Sequence, residues 1–187
     1  DFGLPDAMPY LISVANFQAR KNLPRLVRAA ARLPEVVNGE LALVLLGEGS
    51  EEEKQPVREA IAKLGPRAVV RMPGYRQGKP LRAADAEAVA MVFPSLCESF
   101  GIPVVEAMAQ GLPVVLANST ALPEIGGSAG WYFDPNSEEQ MSDALRQMLD
   151  RGDERARKVE LGRQNARLYR WERSCDLMLG HLRRRSL

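Results

Sequence analysis

Two carboxylates, Glu98 and Glu106, stand in the stretch Pro94–Gly111 with seven residues between them. Glu98 falls in a loop after the apolar run Val89–Phe93, and Glu106 falls near the start of a helix opened by Pro103. Proline suits the first turn of a helix, where free backbone N–H groups point back toward the preceding loop. Those donors and the helix dipole favour an anion or a polar ligand, and Gly101 permits close backbone approach. Two carboxylates beside a ring of donors can grip a polyhydroxylated molecule by accepting hydrogen bonds from its hydroxyls. Lys21, after the first apolar strand, adds a cation at the same presumed edge. Singly, each has an ordinary explanation: Glu98 and Lys21 as surface charges, Glu106 as a first-turn acid worth about 0.3–1 kcal/mol against the dipole.

The elements that must position these groups alternate. Strands are predicted at Tyr10–Val14, Leu41–Leu46, Ala68–Met72, Val89–Phe93, Pro113–Ala117 and Trp131–Phe133. Continuous apolar runs such as Leu41–Leu46 mark strands buried on both faces. Apolar positions at helical spacing predict helices over Leu23–Leu33, ended by Pro34, over Glu51–Leu64, ended by Gly65-Pro66, and over Pro103–Gln110. From Ser137 the chain reads as helix only: Gln140–Leu149 behind a Ser137/Gln140 capping box, Glu154–Leu168 and Trp171–Arg185. The fold class is therefore α/β, a Rossmann-like doubly wound parallel sheet with C-terminal helices. Its strands open at one edge onto Asn16–Asn22, Gly47–Ser50, Gly74–Lys79, Pro94–Gly101 and Asn118–Gly127, where ligands of such sheets bind.

The chain of 187 residues is enough for one such domain, and 45% hydrophobic with 26% charged residues describes a globular protein. A net charge of +1 gives no general attraction to nucleic acid or anionic lipid, so anion binding must be local. No apolar run reaches the roughly 20 residues of a membrane span. Cys97 and Cys175 form no disulfide framework or zinc motif, which fits a reduced, cytoplasmic setting. Gly47-x-Gly49 lacks the third glycine of a dinucleotide loop, because Glu52 stands there. The single histidine, His181, has no partner for a Ser-His-Asp arrangement, and no metal-ligand spacing is present. Trp131, Trp171 and Phe133 read as core, and Arg183–Arg185 as a solvated helix end. A chain that begins at Asp1 without a signal peptide reads as a piece of a longer one.

The segment Pro94–Val115 resembles the signature of glycosyltransferase family 4 of the GT-B fold, written P-S-x-x-E-G-F-G-x-P-x-x-E-A-M-A-x-G-x-P-V-V. In that family the first Glu faces the transferred sugar and the second binds the ribose. The resemblance thus implies a sugar-facing role for Glu98, a ribose-binding role for Glu106, and backbone donors from Phe100 and Gly101. Ser99 departs from the usual Gly but keeps a small residue. Val14–Asn22 resembles the first donor-domain loop, in which an Arg and a Lys neutralise the diphosphate. Lys21 matches the Lys, Asn16 stands in place of the Arg, and Arg20 is the residue that could compensate. Gly74-Tyr75 resembles the loop against the base, while Gly47–Gly49, Asn118–Thr120, Pro123-Glu124, Asp134-Pro135 and Trp171-Glu172 match further landmarks.

The resemblance implies a single nucleotide-sugar-binding domain over residues 1–187, the C-terminal half of a retaining enzyme whose N-terminal acceptor domain is absent from this chain. It implies a hexose moved from GDP-mannose or a UDP-sugar, without metal or cofactor, to a saccharide or lipid-linked acceptor. The Arg20-Lys21-Asn22 form of the loop leans to GDP-mannose. Alone, the chain is expected to bind nucleotide sugar and transfer nothing. The apolar face Cys175, Met178, Leu179 and Leu182 would pack on the missing domain, or support a dimer. The complete enzyme would be cytoplasmic, with peripheral attachment to the inner membrane as an option. Two other readings stand beside this one: a non-catalytic nucleotide-sugar-binding module, and a GT-B nucleotide-sugar 2-epimerase, which the Glu98–Glu106 motif fits poorly.

Overall fold

The computed structural model describes residues 2–5, 7–150 and 152–185, with the side chains of Pro80, Leu177, His181 and 183–185 outside that description. The readings of His181 and of the basic end therefore lie beyond it. The strands are β1 (Tyr10–Val14), β2 (Ala42–Leu46), β3 (Val70–Gly74), β4 (Ala90–Phe93), β5 (Val114–Ala117) and β6 (Gly130–Phe133). They form one sheet, ordered β3-β2-β1-β4-β5-β6, and every pair is parallel. All five residues of β2 are buried, as its unbroken apolar run requires. β1 pairs with β2 on one side and β4 on the other, so the winding reverses between β1 and β4.

The helices are α1 (Leu23–Ala30), α2 (Pro34–Val37), α3 (Glu51–Ala62), α4 (Lys79–Glu87), α5 (Ile102–Gln110), α6 (Leu122–Gly126), α7 (Glu138–Leu149), α8 (Asp153–Ala166) and α9 (Trp171–Arg185). α1 packs with α3 and α7, while α5 packs with α4, α6 and α8, the two layers that right-handed crossovers require. Several expectations are corrected, most of them at prolines. Pro34 does not end a helix reaching Leu33: α1 stops at Ala30, and Pro34 opens α2 at a position where its missing N–H costs nothing. α4, where no element is predicted, and α6, inside the predicted loop Asn118–Gly127, likewise carry Pro80 and Pro123 in their first turns. β3 lies two residues further on than predicted and includes Pro73, tolerated because β3 is an edge strand. Trp131 and Phe133 are buried, but Trp171 is 79% exposed: it opens α9, whose apolar Met178, Leu179 and Leu182 are exposed as well.

One polar side chain is buried between α4 and α5. Asp85 is 2% exposed; its Oδ2 accepts a hydrogen bond from Gln110 at 3.1 Å, and Oδ1 has no partner among the described residues. Burial raises its carboxyl from 3.8 to about 6, against the opposing Gln110 bond and with some help from Glu106. The unfolded chain holds this proton less tightly, so the stability it contributes is complete below about pH 4 and is lost as pH rises through about 6. Asp85→Asn is expected to stabilise the fold at pH 7.5 by about 2–3 kcal/mol and much less at pH 4.5. Thermal unfolding at both pH values checks this, and an equal gain in Tm at each would refute it.

Candidate active site

The reversal between β1 and β4 opens a cavity of about 470 Å³ at the C-terminal edge of the sheet. Its wall comes from the end of β1 (Val14, Ala15, Asn16, then Lys21), from Leu46–Glu48 after β2, from Tyr75 and Arg76 after β3, and from Phe93 and Glu98–Pro103. Four of the five predicted edge loops therefore meet here. Contact between the first two is backbone to backbone. A Cβ on Gly47 would lie 1.8 Å from the Ala15 carbonyl oxygen, so no larger residue fits.

Lys21 and Glu98 meet inside this wall. The Lys21 ammonium donates to Glu98 Oε1 at 2.5 Å, with their side chains only 10% and 9% exposed. The same ammonium lies 5.5 Å from the centre of the Phe93 ring, and Arg20 Nη1 lies 3.6 Å from Glu98 Oε2. Arg20, the residue that could compensate for Asn16, lies outside the cavity wall and braces the Glu98 loop: its guanidinium donates to the Cys97 carbonyl at 3.3 Å, and its own carbonyl accepts from Leu96 N–H. The cation that does line the cavity besides Lys21 is Arg76, which the sequence reading missed. Its position one residue after the Gly74-Tyr75 loop was the available signal.

Two residues hold the pair in register, and neither figured among the candidates. Asn22 is 6% exposed and left-handed at φ 59°, a region asparagine tolerates better than other non-glycine residues. Its amide donates to the Pro94 and Pro135 carbonyls at 3.1 and 2.8 Å, and its oxygen accepts from Arg25. It thereby fastens the Lys21 turn to the start of the Glu98 loop and to the turn after β6. Thr120 Oγ1 accepts from the Glu98 backbone N–H at 2.9 Å, so the fifth edge loop supports Glu98 instead of lining the cavity. The tail contributes too: Tyr169 meets Phe100 edge to face at 5.5 Å.

The helix ends at this edge differ in availability. α3 is closed by its own residues, since Ser50 and Glu53 form a complete capping box and Glu51–Glu53 fill the first turn. The predicted box at Ser137 forms only in half; Ser137 accepts from Gln140 N–H, while the Gln140 side chain turns to Asp134 N–H. α5 carries no side-chain cap and no acid in its first turn, and its N-cap Gly101, at φ 110°, lies in the cavity wall. Pro103 has no N–H and the Val104 and Val105 N–H groups turn to the Gly101 carbonyl, so this end offers an anion the Gly101 and Ile102 N–H groups. Glu106 is the fifth residue of α5, one turn beyond that end. It is not a first-turn acid: it is exposed, lies outside the cavity wall, and is close enough to Asp85 to disfavour its ionisation. Asn16, Tyr75, Ser99, Phe100 and Gly101 lie in the wall, with Gly74 in an adjoining depression shared with Asn16 and Tyr75.

A six-stranded parallel sheet of the Rossmann type, with a cation and a carboxylate facing one cavity at its reversal point, is an architecture that binds ligands at this edge. The chain belongs to the family described as glycosyl transferases group 1, which it matches over residues 1–165. It is 33% identical over 164 residues to O-antigen chain mannosyltransferase B of Escherichia coli, covering 87% of this chain and 42% of that protein. It is also 33% identical over 156 residues to an MMP alpha-(1->4)-mannosyltransferase of Mycolicibacterium hassiacum, covering 81% of this chain and 37% of that protein. The chain thus spans about two fifths of these relatives. In fold it is similar to a UDP-forming trehalose-phosphate synthase of Burkholderia vietnamiensis, with a TM-score of 0.85, 16% identity, and coverage of 95% of this chain and 46% of that one. Sucrose-phosphate synthase of Thermosynechococcus elongatus gives 0.80 at 25% identity, covering 97% and 46%. No described helix is long and apolar enough to cross a membrane.

Proposed function

We propose that this chain is the nucleotide-sugar-binding domain of a retaining hexosyltransferase, completed by an N-terminal domain that supplies the acceptor site. The observation that carries this reading is the Lys21–Glu98 pair set beside the open end of α5 in a single cavity. In this reading Lys21, Arg76 and the Gly101 and Ile102 N–H groups form a positive rim for a diphosphate, and Glu98 accepts from sugar hydroxyls. In transfer, the bond from the sugar carbon to the diphosphate oxygen breaks, a bond to the acceptor oxygen forms on the same face, and the acceptor proton passes to the leaving diphosphate. The charge on the leaving group is met by these fixed donors, with no metal or cofactor required of the chain.

The names of the two mannosyltransferase relatives, together with the Arg20-Lys21-Asn22 loop, favour GDP-mannose over UDP-sugars. A saccharide or lipid-linked acceptor fits the O-antigen relative. The exposed face of α9, with Met178 at 66% and Leu182 at 58%, is reserved in this reading for the N-terminal domain, and in the isolated chain it would promote self-association. A cytoplasmic enzyme, peripheral at the membrane where its acceptor is a lipid, is consistent with these assignments. Calorimetric titration of the chain with GDP, UDP, GDP-mannose and UDP-glucose tests the proposal. One base is expected to bind, with no transfer by the chain alone. Failure of all four to bind would remove the reading, and robust transfer by this chain alone would remove the need for a second domain.

A further inference from the structure

We propose that Glu98 is a specificity-determining residue that makes the cavity prefer the sugar-bearing nucleotide over the bare diphosphate, and so drives product release. This rests on reading the cavity as a nucleotide-sugar site. The pair is closed on itself in the empty chain: Lys21 Nζ reaches Glu98 Oε1 at 2.5 Å, and both side chains are about nine-tenths buried. A diphosphate approaching Lys21 therefore meets a carboxylate already seated on its counterion. The diphosphate competes with that carboxylate for the ammonium, and drawing Lys21 off leaves a buried carboxylate short of donors, which is costly. Arg20, half-exposed and 3.6 Å away, replaces only part of what Lys21 supplied.

A hexose on the diphosphate changes this balance, because its hydroxyls bring new donors to the released carboxylate. A bare nucleoside diphosphate brings none. Once the sugar has left for the acceptor, Glu98 loses those donors and returns to Lys21, and the diphosphate loses its counterion. The residue that holds the sugar thus also ejects what remains. Thr120, through its bond to the Glu98 backbone N–H, keeps the carboxylate within reach of both positions.

The test is calorimetry on this chain with GDP, GDP-mannose, UDP and UDP-glucose, comparing the unmodified protein with Glu98→Gln. The substitution is expected to tighten the bare diphosphate of the preferred base about tenfold, the low end of what a hydrogen bond to a charged group contributes. The matching nucleotide sugar should gain less than about twofold, or weaken. Glu98→Ala is run beside it, because glutamine could keep a neutral hydrogen bond to Lys21; it should show the same sign. Nucleotide binding with unchanged bare-diphosphate affinity in both variants, or an equal gain for diphosphate and nucleotide sugar, overturns the inference alone. No binding of any probe to the unmodified chain overturns it together with the reading of the cavity.

Discussion

Lys21→Ala in the full-length enzyme is expected to lower kcat/KM for sugar transfer about a thousandfold, the scale of removing a main electrostatic stabiliser of a developing anion. Two losses combine. The leaving diphosphate loses the cation best placed to meet it, and Glu98, with a side chain 9% exposed, is left to Arg20 at 3.6 Å. Because the charge grows as the bond to the leaving group breaks, most of the loss should fall on kcat, with a smaller rise in KM. Lys21→Arg should rescue only part of it. The lysine lies 10% exposed and 5.5 Å from the Phe93 ring centre, which leaves little room for a planar guanidinium. Steady-state kinetics on the three proteins decides the matter, and a Lys21→Ala enzyme within tenfold of normal would exclude Lys21 from the chemistry.

Asn22→Ala is expected to have the largest effect on stability, about 3–4 kcal/mol, from an uncapped Pro94 carbonyl, a lost bond at Pro135 and a left-handed alanine. Pro94 loses its amide donor, Pro135 keeps only the Arg25 guanidinium at 2.9 Å, and Arg25 loses an acceptor. In a domain of this size that lowers Tm by roughly 10 °C or more. Asn22→Gly removes the backbone strain but not the lost bonds, so it should recover about 1 kcal/mol. Asn22→Asp keeps the turn but places acceptors against two carbonyls, and it should be no better than alanine. Nucleotide affinity should fall in all three, including at temperatures where they remain folded, because the Lys21 turn is no longer tied to the Glu98 loop. Normal affinity in a folded Asn22→Ala chain would show that Asn22 serves stability alone.

Much of this was legible in the chain. Continuous apolar runs such as Leu43–Leu46 identify strands buried on both faces, because helices cover both sides of a parallel sheet. The differences gather at prolines: Pro34 reads as a break and Pro123 as loop, and the helix at Pro80 has no local signal, yet each sits in the first turn of a helix, where proline is tolerated. A local pattern shows that proline interrupts a ladder of hydrogen bonds, but not on which side of it the helix lies. Glu106 was misplaced for a similar reason. A shift of one residue in the start of α5 separates a first-turn acid from one a turn further along.

The sequence by itself determined the alternation of strands and helices, the edge at which the chemistry gathers, and the spacing that names Glu98 as a candidate. These follow from hydrophobic period and residue type, which are local properties. Only the tertiary structure decided that Lys21 and Glu98, 77 residues apart, form one buried pair, that Arg20 braces a loop while Arg76 lines the cavity, and that Trp171 stands in the open. Those outcomes depend on β4 lying beside β1 at the reversal of the sheet. Strand order is set by the packing of the whole layer, and no stretch of sequence carries it alone.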